Sequence, residues 1–229
     1  MYDRSSTKVL FLMMFLLFST NLSFSQEEET LSNKERKAEA LEQIKKLHSG
    51  TLVVRLPSNA KKIAALQGLI DRGKLKKKAQ RRTVEKLETT KKSTRSFNLT
   101  MMQALKENYH FSELLFIYDT ASVALKNGQY EGIFLNDSLA IDPDIELKND
   151  TFLGLRFGNT KSEDGQSIDA MVVMNRQLKD LSPPFPYYVR MNNIFAILGT
   201  FLPEQSKVSI VKATQKLNAR LNSFYRRYY

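Results

Sequence analysis

The sequence predicts an α/β fold: a single domain with a mixed sheet, a parallel βαβ core, an antiparallel meander and a C-terminal amphipathic helix. Three observations carry this expectation. Glu113–Asp119, ELLFIYD, is apolar or aromatic from Leu114 to Tyr118 without alternation, as suits a strand covered on both faces. Leu52–Leu56, in TLVVRLP, has the same character. The sequence between these runs is helix-permissive, and two buried strands joined by a helical crossover pair in parallel.

The chain opens with MYDRSSTK, carrying Arg4 and Lys8 against Asp3, followed by the apolar run Val9 to Phe18 and the polar stretch STNLSFSQ. Ser23 and Ser25 are the small residues that precede a signal-peptidase cut, so residues 1–25 read as a signal peptide cleaved after Ser25. An apolar run this short spans about 15 Å as a helix, roughly half a bilayer core, which argues against a retained anchor. Residues 26–229 then form one domain with room for a substantial core.

Further along, Leu41, Ile44 and Leu47 form a helical stripe, with Ser32 and Glu35 as a capping pair and Ser49-Gly50 as the stop. After strand Leu52–Leu56, Asn59 is the expected cap of a helix whose Ile63, Leu66 and Ile70 share a face. Gly73 marks a stop or a weak point, and Leu75 to Tyr109 reads as one long helix or a kinked pair, with Met102, Leu105 and Tyr109 buried. The crossover, about residues 59–109, ends at ELLFIYD. Asp119-Thr120 begins a short helical turn closed by Asn127-Gly128. Tyr130–Leu135, Thr151–Phe157 and Ile168–Met174 are expected as the meander, with Asp164-Gly165 as a hairpin turn. The proline-rich SPPFPYYVR, Ser182–Arg190, breaks that pattern. Pro203 opens a last helix with Val208, Val211, Leu217, Leu221 and Phe224 near one face.

In order and texture, GTLVVRL, a long basic helix, LLFIYD, IFLNDSLAIDPDI, AMVVM and PFPYYVR resemble a family of uncharacterised exported bacterial proteins, over roughly Ser49 to Arg190. The resemblance implies export and one compact α/β domain, and it carries over no catalytic residue. The absence of cysteine excludes disulfides, thiolate catalysis, cysteine-ligated zinc and a lipid-modified cysteine. An exported chain of this composition fits the periplasm of a Gram-negative bacterium. Asn98, Asn136 and Asn149 begin glycosylation sequons, relevant only in a eukaryotic secretory route.

Charge is the strongest chemical anomaly. Lys61 to Arg95 holds thirteen Lys or Arg against Asp71, Glu85 and Glu88, a net of +10. Residues 26–229 as a whole also carry +10, so the remainder is neutral. Lys76, Lys77, Lys78, Arg81, Arg82 and Lys86 are therefore the candidate anion-binding residues, and an anionic lipid, a polysaccharide or an acidic protein is the expected partner. A solvated helix face explains the same run more plainly, since Lys and Arg are good helix formers. Nucleic acid is disfavoured, because no aromatic residue between Lys61 and Arg95 offers a stacking platform.

Other chemistry has weaker support. Asp119 ends a buried strand, where open α/β sheets place catalytic carboxylates, and it also precedes a short helix that it could cap. Asp142, Asp144 and Glu146 open like a calcium loop, but Leu147 and Leu153 stand where its glycine and final glutamate belong. Asp137 and Asp150 complete an acidic loop. His48 and His110 lack partners at metal spacing, and neither a nucleophile elbow nor a phosphate-binding glycine loop occurs. No metal or cofactor is expected. Tyr187, Tyr188, Tyr225, Tyr228 and Tyr229 read as packing groups with one wet end. The reading favoured is a non-catalytic exported envelope protein that binds a partner or an anionic envelope component. Its rival is a periplasmic carboxylate-dependent enzyme centred on Asp119.

Overall fold

The central strand is β1 (Thr51–Leu56), and both of its edges are paired in parallel. On one side lies β2 (Glu113–Tyr118), with Val54 opposite Phe116; on the other lies β3 (Phe152–Lys161), with Val54 opposite Leu155. β4 (Ser167–Met174) runs antiparallel to β3, and the short β5 (Tyr188–Arg190) runs antiparallel to β4. The order is β2-β1-β3-β4-β5. The computed structural model describes residues 32–161, 167–191 and 204–229, and residues 33–229 form one compact unit. Asp164-Gly165 and Pro203 lie outside the described residues.

Alternation along β1 explains why its sequence from Leu52 to Leu56 is apolar apart from Arg55. Leu52, Val54 and Leu56 face one side, where they join Phe116, Leu153, Leu155, Met171, Val173 and Val189 in the main core. Three helices cover that side: α1 (Asn33–Ser49) through Ala40, Ile44 and Leu47, α3 (Lys77–Asn108) through Phe97, Met101 and Leu105, and α5 (Glu204–Tyr228) through Leu217, Leu221 and Phe224. Val53 faces the other side and meets Ile117, Phe152, Leu125 and Phe134 in a smaller core. Its cover is α4 (Ser122–Lys126), which follows a 3-10 turn at Asp119–Ala121, and the irregular chain after it. Both faces of β1 are thus covered, while β2, at the sheet edge, buries Phe116 and Ile117 and leaves Leu114, Leu115 and Tyr118 half-buried.

Several local expectations are corrected. Tyr130–Leu135 is not a strand: Phe134 and Leu135 make only isolated bridges, to Ile117 and Ile141. Gly132, at φ 61, turns the chain out of the extended region in mid-run. The Asn136 side chain then accepts the amides of Ser138 and Ala140 and closes a tight turn. The expected meander is therefore reduced, because β3 pairs with β1 in parallel and only β3, β4 and β5 run antiparallel. The proline-rich segment contributes β5, a strand the sequence pattern concealed. Val208, expected on the buried face of α5, is 49% exposed, and Ile210, Ala213 and Thr214 are buried there instead.

The crossover is a helical hairpin. α2 (Ala60–Asp71) ends before Gly73, whose φ of 63 reverses the chain, and α3 follows as one unbroken helix of 32 residues, about 48 Å long. α2 packs on α3. Asn59 does not cap α2 with its side chain: it sits in the left-handed region at φ 53, and its Nδ2 donates to Thr94 Oγ1 at 2.7 Å.

Candidate functional site

The distal part of the hairpin carries the charge. The first buried residue of α3 is Leu87, so its opening turns from Lys77 to Lys86 contribute nothing to the core, and α2 buries only Leu66. All thirteen Lys and Arg from Lys61 to Arg95 are exposed, including Lys76, Lys77, Lys78, Arg81, Arg82 and Lys86. Among the described residues only two of the thirteen are ion-paired, Arg81 with Glu85 at 3.7 Å and Lys91 with Glu88 at 3.2 Å. Both pairs are solvent-exposed, so each contributes little.

The start of α3 is built against its own dipole. Lys76 occupies the N-cap position with extended backbone and no side-chain cap, and the first turn contains no acid. Lys77 and Lys78 follow at once. A helix N-terminus favours capping oxygens and carboxylates, and each misplaced charge or missing cap costs on the order of 1 kcal/mol. Good helix propensity therefore does not account for lysine at these positions. They concentrate positive potential at the tip, which Arg72 and Lys74 of the connecting loop extend.

A second constellation lies at the carboxyl end of the parallel strands. The β1–α2 loop is held from three directions: Asn98 Nδ2 donates to the Pro57 carbonyl at 2.9 Å, the Ser58 amide donates to Asp119 Oδ1 at 3.0 Å, and Asn59 bonds Thr94 as above. Asp119 therefore secures a neighbouring loop. It does not cap the helix that follows it, and its backbone carbonyl instead accepts the Ser122 hydroxyl at 2.6 Å. The second group the enzyme reading requires beside Asp119 is an acid, tyrosine or lysine. Among the described residues, Asp119 has the Ser58 amide as its hydrogen-bond partner and, within electrostatic reach, the Arg55 guanidinium.

Arg55 and Arg156 were not recognisable as site residues in the sequence. They are register partners on β1 and β3 and so share a face. Arg156 donates from Nε to Asp180 Oδ1 at 2.8 Å and from Nη2 to Asp180 Oδ2 at 2.5 Å, a side-on bidentate pair. Among the described residues Arg55 has no such partner: Nη1 reaches Met174 Sδ at 3.7 Å, and Nε is buried without a hydrogen bond. Burial lowers its pKa, Asp119 and Asp180 raise it, and neighbouring Arg156 lowers it. One signal was available: a single arginine inside an otherwise apolar, doubly covered strand has to meet something polar.

The remaining sequence candidates are dispersed. Asp137 pairs with Lys106, Asp150 with Arg176, and Asp142 Oδ1 accepts the Asp144 amide at 3.0 Å. Among the described residues no three metal-ligating side chains converge. His48 stacks on Tyr225 with ring centroids 4.0 Å apart, and Tyr225 stacks in turn on Tyr229 at 5.1 Å. Asn98 is 1% exposed, so that sequon is closed to a glycan in the folded protein. No helix among the described residues is long and apolar enough to cross a membrane. Comparison with family models, curated proteins and solved structures finds no match, and the functional reading rests on the geometry.

Proposed function

We propose that this is an exported, non-catalytic envelope protein whose α2–α3 hairpin docks on an anionic lipid surface. One observation carries the reading: thirteen exposed cations on a single projection, two of them paired, with eight of the thirteen between Arg72 and Lys86 around an uncapped lysine-rich helix start. Each Lys or Arg held near an anionic lipid surface contributes about 1 kcal/mol. The attraction is screened over about 8 Å at physiological salt, so binding weakens steeply as salt rises. Contacts of this kind select charge density and no particular headgroup. No aromatic residue lies between Lys61 and Arg95, and Phe97 of α3 is buried in the core, which fits reversible surface docking.

Cosedimentation with vesicles containing phosphatidylglycerol, at low and high salt, tests the proposal. Reversing Lys77, Arg81 and Arg82 to glutamate removes three attractions of about 1 kcal/mol each and adds repulsion, which lowers affinity by a hundredfold or more. These side chains are exposed and outside the core, so circular dichroism of the triple variant should match that of the parent. A folded triple variant that sediments with vesicles as well as the parent does overturns the proposal.

A further inference from the structure

The proline-rich segment around β5 and the last turns of α5 enclose a cleft of about 390 Å³, within the usual size of a small-molecule site. The segment supplies Pro186, Tyr187 and Tyr188, and α5 supplies Arg220, Phe224 and Arg227. On the helix, Arg220, Ser223, Phe224 and Arg227 are spaced i, i+3, i+4 and i+7, so they share one face. Phe224 is 9% exposed and packs on Phe185 with ring centroids 6.0 Å apart, which gives the cleft an apolar floor. Arg220 and Arg227 are exposed on either side of that floor, about 10 Å apart along the helix axis. The opposite wall is made of proline and tyrosine rings, whose faces are flat and carry no N–H donor.

Charge supplies the second argument. Outside Lys61–Arg95, residues 26–229 are neutral in sum, yet no acid lines this cleft. Arg220 Nη1 donates to the Tyr188 carbonyl at 2.8 Å, which fixes that guanidinium against β5. Among the described residues neither Arg220 nor Arg227 has a carboxylate partner. A broader hollow of about 740 Å³ adjoins the cleft, sharing Ser223 and Arg227 with it, and is lined further by His110, Asn218, Asn222 and Arg226, again with no acid. Asn218 Oδ1 accepts the His110 amide at 3.0 Å, and Asn222 Nδ2 donates to the Asn218 carbonyl at 2.9 Å, so both side chains are held. Asn218 Nδ2, a donor, and Asn222 Oδ1, an acceptor, make no hydrogen bond among the described residues.

These features match one ligand chemistry. A free donor and a free acceptor on adjacent turns of one helix suit hydroxyl groups, which donate and accept at once. Unpaired guanidinium groups suit carboxylates. Flat apolar ring faces suit the C–H face of a pyranose. We propose that the cleft and the adjoining hollow bind a short acidic glycan, with a sugar ring against Tyr188, carboxylates at Arg220 and Arg227, and hydroxyls at Asn218 and Asn222. A simple aromatic acid would leave the two amides unused, and an acidic peptide lacks the pyranose face. The proposal is independent of the hairpin and of the membrane-docking reading.

Backbone ¹⁵N–¹H NMR tests it by titration with tetragalacturonate at constant ionic strength, in the parent chain and in the variant with Lys77, Arg81 and Arg82 reversed to glutamate. In both, the amides of Tyr188 and of Asn218 to Arg227 should shift saturably, because this site does not use the hairpin. Neutral galactotetraose and the peptide tetraglutamate should each bind about tenfold more weakly or worse, the first lacking the charge and the second the ring face. Arg227→Gln, at an exposed position outside the core, should weaken tetragalacturonate binding about tenfold with the circular dichroism unchanged. Tyr188→Phe keeps the ring face and should bind as the parent does. Galactotetraose or tetraglutamate binding as tightly as tetragalacturonate overturns the proposal. So does an Arg227→Gln variant of undiminished affinity, or a titration that leaves Tyr188 and the last turns of α5 unshifted.

Discussion

Asp119 offers the sharpest test of how the carboxyl end of the sheet is held. Its carboxylate accepts the Ser58 amide at 3.0 Å in a half-buried setting. Asp119→Ala removes the acceptor and strands that amide, at a cost of about 1–3 kcal/mol. It also deletes a negative charge that favours the nearby Arg55 guanidinium, so the upper half of the range is expected. Asp119→Asn keeps an acceptor oxygen and loses the charge, for about 1 kcal/mol. With a urea slope of about 2 kcal/mol per molar, the midpoint should fall by about 1 M for alanine and about 0.5 M for asparagine. Native-state hydrogen exchange locates the effect: Ser58 loses protection, and the amides of α4 do not. If both variants unfold at the parent midpoint with Ser58 still protected, the loop is not held by this bond and the role assigned to Asp119 is wrong.

Two further outcomes follow from burial and close approach. Burial raises the phenol pKa of Tyr109, against a smaller opposing effect from its 2.8 Å hydrogen bond to Ser112. A raised folded pKa means the unfolded chain loses its proton first, so this contribution is intact below about pH 10 and declines as pH rises beyond it toward the folded value. Tyr109→Phe should flatten the alkaline limb of stability against pH, measured by urea unfolding; an unchanged limb would refute the assignment. At Gly50 an added Cβ would lie 2.4 Å from the Thr151 carbonyl oxygen and 2.7 Å from that of Lys46. Both are backbone atoms that cannot swing aside, so Gly50→Ala should cost about 3 kcal/mol in thermal or urea unfolding, and a loss under 1 kcal/mol would contradict the packing.

Much of the scaffold was legible because it follows from local chemistry. Leu52–Leu56, apart from Arg55, and Leu114–Tyr118 are apolar on both faces, and a fold places such runs between two covers. A flexible Gly73 and an absence of proline from Leu75 to Tyr109 admit either one long helix or a kinked pair, and the structure runs α3 unbroken from Lys77 to Asn108. The charge excess on that helix is a matter of counting. The sequence could not reveal that Tyr130–Leu135 bends away at Gly132, since a glycine in an apolar run is compatible with a strand until the tertiary surroundings select its φ. Nor could it reveal β5, whose three residues follow a proline cluster and gain their strand character only from pairing with β4.

The candidate sites divide the same way. Exposure of Lys76–Lys78 and Arg81 was readable from helical position and lack of apolar neighbours, because solvation of a helix face is decided within the helix. The cost of placing those lysines at an uncapped N-terminus needed the helix boundary, which the structure puts at Lys77. Asp119 was noticed for its place in the chain, but its partner Ser58 lies 61 residues earlier. Arg55 and Arg156, about a hundred residues apart in the chain, become neighbours only because β3 pairs with β1. Which face a side chain takes in a strand is set by period 2 and is local. Which other strand lies beside it is set by global topology, and that alone decided that one arginine would meet a carboxylate while its twin would not.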